Sequence, residues 1–262
     1  MDLNLSQKRA IVCGSTQGIG KAIAVELAQM GASVALVARN EEKLQATLQE
    51  LDRATGQQHD YICADFSNPD DLAAKIKAYV ATKPVVHILV NNTGGPSGGP
   101  IIDAGLDEFK QAFSNHLICN HILVQAVAPL MKQAQYGRII NIISTSVKQP
   151  LPGLGVSNTI RGAVANWAKT LSLELGPFGI TVNNVLPGAT VTARHTSLIQ
   201  TKAEKTGQSI EQIESEMLAN IPAKRFGSSA EVAAAAAFLA SPAAGYINGI
   251  NIPVDGGRTG NL

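Results

Sequence analysis

Seven consecutive residues near the start of the chain, Gly14-Ser15-Thr16-Gln17-Gly18-Ile19-Gly20, are small or polar except for Ile19 and suited to meeting an anion. They follow directly on the apolar run Ala10-Ile11-Val12-Cys13, which reads as a strand, and lead into Lys21–Met30, which reads as an amphipathic helix. At such a turn, small residues let the backbone approach a pyrophosphate. Its charge is met by unpaired N–H groups and the positive end of the helix. Glycine turns are common, so the pattern draws its meaning from this strand-to-helix context. About twenty residues after the turn, the second strand ends in Val37-Ala38-Arg39-Asn40. A carboxylate there would accept hydrogen bonds from a ribose 2′-hydroxyl, whereas a guanidinium pairs with a 2′-phosphate. Arg39 without an acid favours NADP(H) over NAD(H).

The elements that must position these groups alternate along the chain. Strands are expected at Ala10–Cys13, Ser33–Ala38, Asp60–Ala64, Val86–Val90, Arg138–Ile143, Thr181–Leu186 and Ile250–Val254. Helices are expected near Gly18–Met30, Glu41–Ala54, Pro69–Ala81, Leu106–Lys132, Ser157–Leu175, Ile210–Asn220 and Ala230–Leu239. This alternation predicts an α/β fold: a doubly wound, mostly parallel, Rossmann-like sheet of about seven strands with helices on both faces. No Pro/Ser linker or internal repeat divides the series, so residues 1–262 are expected to form a single dinucleotide-binding domain.

A formal net charge of +1 and the lack of long like-charge runs argue against nucleic acid and anionic membrane as partners. No secretion signal and no run of about 18 apolar residues is evident, which predicts a cytoplasmic protein. Cys13, Cys63 and Cys119 are odd in number and set among apolar neighbours, as reduced core thiols would be. The five histidines show no metal-ligand spacing, so no metal is expected.

Several spaced motifs now stand in order: Gly14–Gly20; Asp65 after the third strand; Asn91-Asn92-Thr93-Gly94 after the fourth; Ser144 after the fifth; Pro187-Gly188 after the sixth; Asp255-Gly256-Gly257 near the terminus. In these the chain resembles the short-chain dehydrogenases/reductases, in the subgroup that includes β-ketoacyl-acyl-carrier-protein reductases, nearly from end to end. The resemblance implies that Asp65 bonds the adenine amino group, that Asn91 and Gly94 line the adenine ribose, and that Thr192 touches the nicotinamide carboxamide. Pro187, Gly188 and Arg161 join the cofactor-binding set. Asp65 could equally cap a turn before Pro69, and Thr192 could cap the helix that follows.

The catalytic centre departs from that family. A Tyr is expected thirteen residues after the Ser and a Lys four beyond it; those positions hold Ser157 and Arg161. Counting back without a gap, the family's helix Asn falls on His116, so Ser144 alone of the four is retained. In the family the phenol gives a proton to the carbonyl, its pKa lowered by the cationic Lys. A Ser hydroxyl is a far weaker acid and ends about 4 Å short of a Tyr oxygen. Arg161 can hold ribose hydroxyls but shuttles no proton near neutrality. Ser144 is expected to orient a carbonyl oxygen, with His116 or an ordered water supplying the proton; a packed His116 without a chemical role is the alternative.

The segment 193–222 corresponds to a flap over the substrate. Its Leu198, Ile199, Ile213, Met217, Leu218 and Ile221 either close over that substrate or anchor the flap. The glycine-rich loop Gly94–Pro100 either shapes the mouth or is a plain turn. Phe113–Met131 and Gly162–Leu175 carry more apolar positions than one sheet face uses, which suits a thick core or a subunit interface. The resemblance implies a homo-oligomer, a dimer or tetramer. Two functions remain open. One is an NADP(H)-dependent oxidoreductase acting on a small carbonyl or alcohol, an acyl thioester among them. The other is an NADP(H)-binding sensor or structural subunit without redox chemistry.

Overall fold

The computed structural model describes residues 1–261. Its strands are β1 (Arg9–Cys13), β2 (Ser33–Ala38), β3 (Asp60–Cys63), β4 (Ile88–Asn91), β5 (Gly137–Ile142), β6 (Ile180–Pro187) and β7 (Asn251–Val254). The helices are α1 (Gly18–Gln29), α2 (Glu41–Gln49), α3 (Pro69–Ala81), α4 (Leu106–Phe113), α5 (Cys119–Ala134), α6 (Gly155–Leu175), α7 (Ala193–Thr206), α8 (Ile210–Ala219) and α9 (Ser229–Ala240). All strand pairs are parallel, in the order β3-β2-β1-β4-β5-β6-β7. The order reverses between β1 and β4, and in such sheets the crevice beyond the carboxyl ends at that point receives ligands.

The two-residue period of a strand explains why helices cover both faces. Ala10, Val12, Val34, Leu36, Ile88 and Val90 point to one side and pack with Ile23 and Leu27 of α1 and Ala233 and Ala236 of α9. Ile11, Cys13, Ala35, Val37 and Leu89 point to the other, against Leu72 and Ile76 of α3 and Leu123 and Val127 of α5. Strands buried on both sides read as continuous apolar runs, which is why β1 and β2 were legible. Cys13 and Cys119 are buried free thiols and Cys63 is half-buried.

The long helix expected over Leu106–Lys132 is divided. Ser114–Ile118 forms a wider π-helical turn between α4 and α5, carrying His116 inward. Apolar periodicity continues through this turn, so sequence reading joined the two helices. The segment expected to be helix-forming after Ala193 contains α7 and α8, the second opened by Ser209 and Gln212 in a reciprocal capping box.

One polar feature crosses the core. The register places Asn91 beside Asn141, Asn141 beside Asn184, and Asn184 beside Asn251. The amides form a relay: Asn91 Nδ2 donates to Asn141 Oδ1 (2.8 Å), Asn141 Nδ2 to Asn184 Oδ1 (2.9 Å), and Asn184 Nδ2 to Asn251 Oδ1 (2.8 Å). Asn141→Ala would strand a buried donor on Asn91 and a buried acceptor on Asn184. The expected loss is about 2–4 kcal/mol, measured by denaturant unfolding against wild type.

Candidate active site

The carboxyl ends of β1, β2, β4, β5 and β6 open onto a cavity of about 670 Å³. Its floor at one end is the glycine turn. Gly14 (φ +59°) and Gly18 (φ +54°) adopt left-handed backbone that favours glycine. Gln17 precedes α1 without a side-chain cap, and no acid occupies the first helical turn, so the positive end of α1 is left open to a ligand. Gly14, Thr16, Gln17, Gly18 and Ile19 line the cavity.

Two members of that turn have other work. Ser15 is fully buried and its Oγ donates to Val37 O (3.4 Å), tying the turn to β2. Gly20 packs so tightly that a Cβ there would collide with the carbonyl oxygen of Gly14 and the amide of Asn92. Neither lines the cavity; their packing shapes the turn. For Asn91 the expectation is corrected. The pleat turns its side chain into the asparagine relay rather than toward a ribose. Its neighbour Asn92 lines the cavity instead, and its Nδ2 donates to Cys13 O (3.2 Å) and Gly14 O (3.3 Å). Sequence reading had only an Asn-Asn doublet at a strand end; alternation of side chains was the available signal that the two must face differently.

Arg39, Asp65, Gly94, Pro187, Gly188 and Thr192 all line the cavity. Asp65 accepts from the backbone N–H of Ser67 (2.9 Å), which holds its carboxyl below the usual range. Thr192 Oγ1 accepts from His195 N (3.2 Å) and so also caps α7. Both residues thus make the turn and cap bonds that the sequence left open, and both also face the cavity.

Ser144, Ser157 and Arg161 share the opposite part of the cavity wall. Ser144 follows β5, and its Oγ accepts from Ser146 N (3.1 Å), leaving its own proton free for an acceptor in the cavity. Ser157 and Arg161 lie one turn apart on α6 and are both buried. Arg161 Nη1 donates to Ile142 O (3.2 Å). Burial, and secondly the charge of Arg194, push its pKa down to about 10, so it remains cationic at neutral pH.

His116 is not on the cavity wall. Its Nδ1 lies 2.9 Å from Thr93 Oγ1, and Thr93 is the residue that reaches the cavity. Burial, followed by the charges of Arg161 and Arg194, holds the imidazole down to about 2. A ring that neutral is no proton source near pH 7, which corrects the expectation that it supplies the proton. His87 is likewise pushed down to about 4, first by burial. Between these values and the ordinary 6.5, the unfolded chain binds protons that the folded chain refuses. Stability is therefore full above pH 6.5 and falls as pH drops through it. Denaturant midpoints measured from about pH 8 to about pH 5, above most of the carboxylate range, should show this decline, and His116→Gln should flatten it.

The flap divides its apolar residues between the two expected tasks. Leu198 and Met217 face the cavity, while Ile199, Ile213 and Ile221 are buried anchors. The loop after β4 is more than a plain turn: Gly94 and Gly95 line the cavity, and Gly99 N donates to Gly153 O (2.7 Å).

A parallel sheet wound in this order, with a glycine turn and an uncapped helix at its switch point, defines a dinucleotide-binding α/β protein. The chain belongs to the short-chain dehydrogenases/reductases: a family model described as Enoyl-(Acyl carrier protein) reductase matches residues 14–259. It is 31% identical over 254 residues to the NADPH-dependent reductase BacG of Bacillus subtilis (strain 168), covering 97% of this chain and 98% of that protein. To a 3-oxoacyl-[acyl-carrier-protein] reductase FabG of Staphylococcus epidermidis it is 33% identical, covering 95% and 98%. L-sorbose reductase from Gluconobacter frateurii, solved with NADPH and L-sorbose, superimposes with a TM-score of 0.92 at 29% identity, covering 100% of both chains. Among the described residues no helix is long and apolar enough to cross a membrane.

Proposed function

We propose that this chain is an NADP(H)-dependent oxidoreductase acting on a carbonyl or alcohol, with Ser157 and Arg161 standing where its family has Tyr and Lys. The carrying observation is convergence: Ser144, Ser157 and Arg161 line the same cavity as the glycine turn and Arg39. The NADPH dependence printed for BacG and the NADPH bound to L-sorbose reductase support the cofactor choice.

The residues present fit the cofactor. The open end of α1 and the turn Gly14–Gly18 meet its pyrophosphate, Arg39 its 2′-phosphate, and Asp65 and Gly94 its adenosine. Pro187, Gly188 and Thr192 line the nicotinamide end. When bound, the cofactor supplies or accepts the hydride. Ser144 donates its free hydroxyl proton as a hydrogen bond to the substrate oxygen. Arg161 donates to ribose hydroxyls, and its buried charge stabilises negative charge developing nearby. Ser157 is too short and too weak an acid to replace a phenol, so its hydroxyl orders the water that delivers the proton. His116 acts as a positioning residue by holding Thr93.

Residues 1–262 act here as one dinucleotide-binding domain with the flap near 193–222, and the protein is a cytoplasmic homo-oligomer, a dimer or tetramer. Exposed Phe113, Ile118 and Leu173 on the α4–α5 and α6 surfaces support that assembly. The substrate is a small carbonyl or alcohol, with acyl thioesters included in the class.

Calorimetric titration with NADPH and NADH, then a carbonyl panel read at the nicotinamide absorbance band, tests this reading. NADPH is expected to bind more tightly than NADH. Arg39→Asp should weaken NADPH roughly tenfold and narrow the preference. Binding without turnover across a broad panel would favour the sensor, for which the residues at 157 and 161 speak; absence of NADPH binding would overturn both.

A further inference from the structure

The charged side chains around the cavity are unbalanced. Arg39, Arg161, Arg194 and Arg258 line it against a single carboxylate, Asp65. None of the four arginines takes part in an ion pair among the described residues. Arg39, just after β2, serves the adenosine end. Three strand spacings separate β2 from β5, about 14 Å. Arg194 belongs to the other half. It follows β6, its Nη2 donates to Pro96 O in the loop after β4, and its guanidinium packs 3.0 Å from where a Gly95 Cβ would stand. It therefore bridges the elements that flank Ser144, at a point remote from the 2′-phosphate.

A second observation lies beside it. His195 is 9% exposed and lines the same cavity, with its ring edge-on to Phe226 at 4.6 Å. Its buried Nε2 has no hydrogen-bond partner. The Arg161 pKa is lowered first by burial and secondly by the like charge of Arg194 nearby. The buried Arg161 cation has no counter-charge, and an anion held by the exposed Arg194 beside it would offset that cost. Leu151, Leu154, Leu198 and Met217 supply an apolar wall beside it.

We propose that the substrate of this oxidoreductase carries a carboxylate on an apolar body, held by the Arg194 guanidinium on the cavity wall beside His195. The proposal rests on the oxidoreductase reading and narrows its substrate to oxo acids or hydroxy acids. An anion at this end complements the phosphates of the cofactor, which are met by Arg39 and α1.

The test is calorimetry on the chain saturated with NADP+, using benzoate and its neutral counterpart benzamide as probes. Benzoate is expected to bind roughly tenfold more tightly than benzamide. Arg194→Gln should erase that difference while leaving NADP+ affinity unchanged, and Arg194→Lys should restore part of it. Oxo acids should then turn over in preference to their methyl esters. Equal binding of the two probes overturns the proposal. So does an Arg194→Gln variant that loses NADP+ as much as benzoate, since the guanidinium then serves the phosphates of the cofactor. Phenyl phosphate binding far above benzoate would make this a phosphate site and overturn the carboxylate. If the wild-type chain binds no NADP+, the oxidoreductase reading fails, and benzoate titrated onto the free wild-type and Arg194→Gln chains decides the anion site separately.

Discussion

Gly20→Ala is expected to abolish detectable NADPH binding, a loss of at least roughly a hundredfold, and to destabilise the chain by about 3 kcal/mol. The added methyl has no free direction. It would meet the Gly14 carbonyl oxygen, a backbone atom in the same turn, and the Asn92 amide that pins that turn through Cys13 O and Gly14 O. Relief requires the start of α1 to move away from β1, which widens the cradle and turns its N–H groups off a pyrophosphate. Calorimetry with NADPH and denaturant unfolding measure the two effects. Gly162→Ala is the control, because a Cβ at that helical position has nothing within 4 Å. It should bind NADPH as wild type does and gain about 0.5–1 kcal/mol from helix propensity. If Gly20→Ala behaved like the control, the role assigned to close packing in the turn would be wrong.

Ser144→Ala is expected to lower kcat about 10²–10³-fold with any accepted substrate while leaving NADPH affinity within about twofold. Its Oγ is fixed by the Ser146 N–H, so the hydroxyl donates into the cavity without reorganisation. On the proposed reading, in which Ser157 stands where the family has Tyr, that hydrogen bond carries a larger share of oxyanion stabilisation than it would beside a Tyr. The alternative outcome is also informative: a Ser144→Ala variant with full turnover and unchanged KM would remove the hydroxyl from the chemistry. Loss of the Ser146 contact alone accounts for a stability change of about 1 kcal/mol, which unfolding curves separate from the kinetic effect.

Much of the architecture was legible because strands buried on both sides carry unbroken apolar runs. β2 matches its expected bounds, and so does α3, which opens with Asn68 as cap and Pro69 in its first turn. Element ends were less legible where the signal is tertiary. α2 stops at Gln49 rather than Ala54, and the π turn at Ser114–Ile118 interrupts a stretch whose apolar period does not break. Within the site, motif order located the cavity wall at Gly14, Arg39, Asp65, Gly94, Ser144, Ser157, Arg161 and Thr192. Ser15, Asn91 and His116 were read as contact or proton-transfer groups from motif position, although burial and, for Asn91, strand alternation turn their side chains away from the cavity. Arg194 drew no attention, since a basic residue in a polar segment resembles any solvated one, and His195 was weighed only as a metal ligand.

By itself, the sequence determined the order of the strands, the glycine turn, and the guanidinium at the end of β2, because these depend on local periodicity and backbone geometry. The tertiary structure alone decided that Asn91 joins a four-strand amide relay and that His116 is sealed from the cavity and held neutral. It also brought an arginine from beyond β6 to a loop after β4. Those outcomes depend on register, burial and the field of distant charges, which take effect only when segments far apart in the chain are packed together.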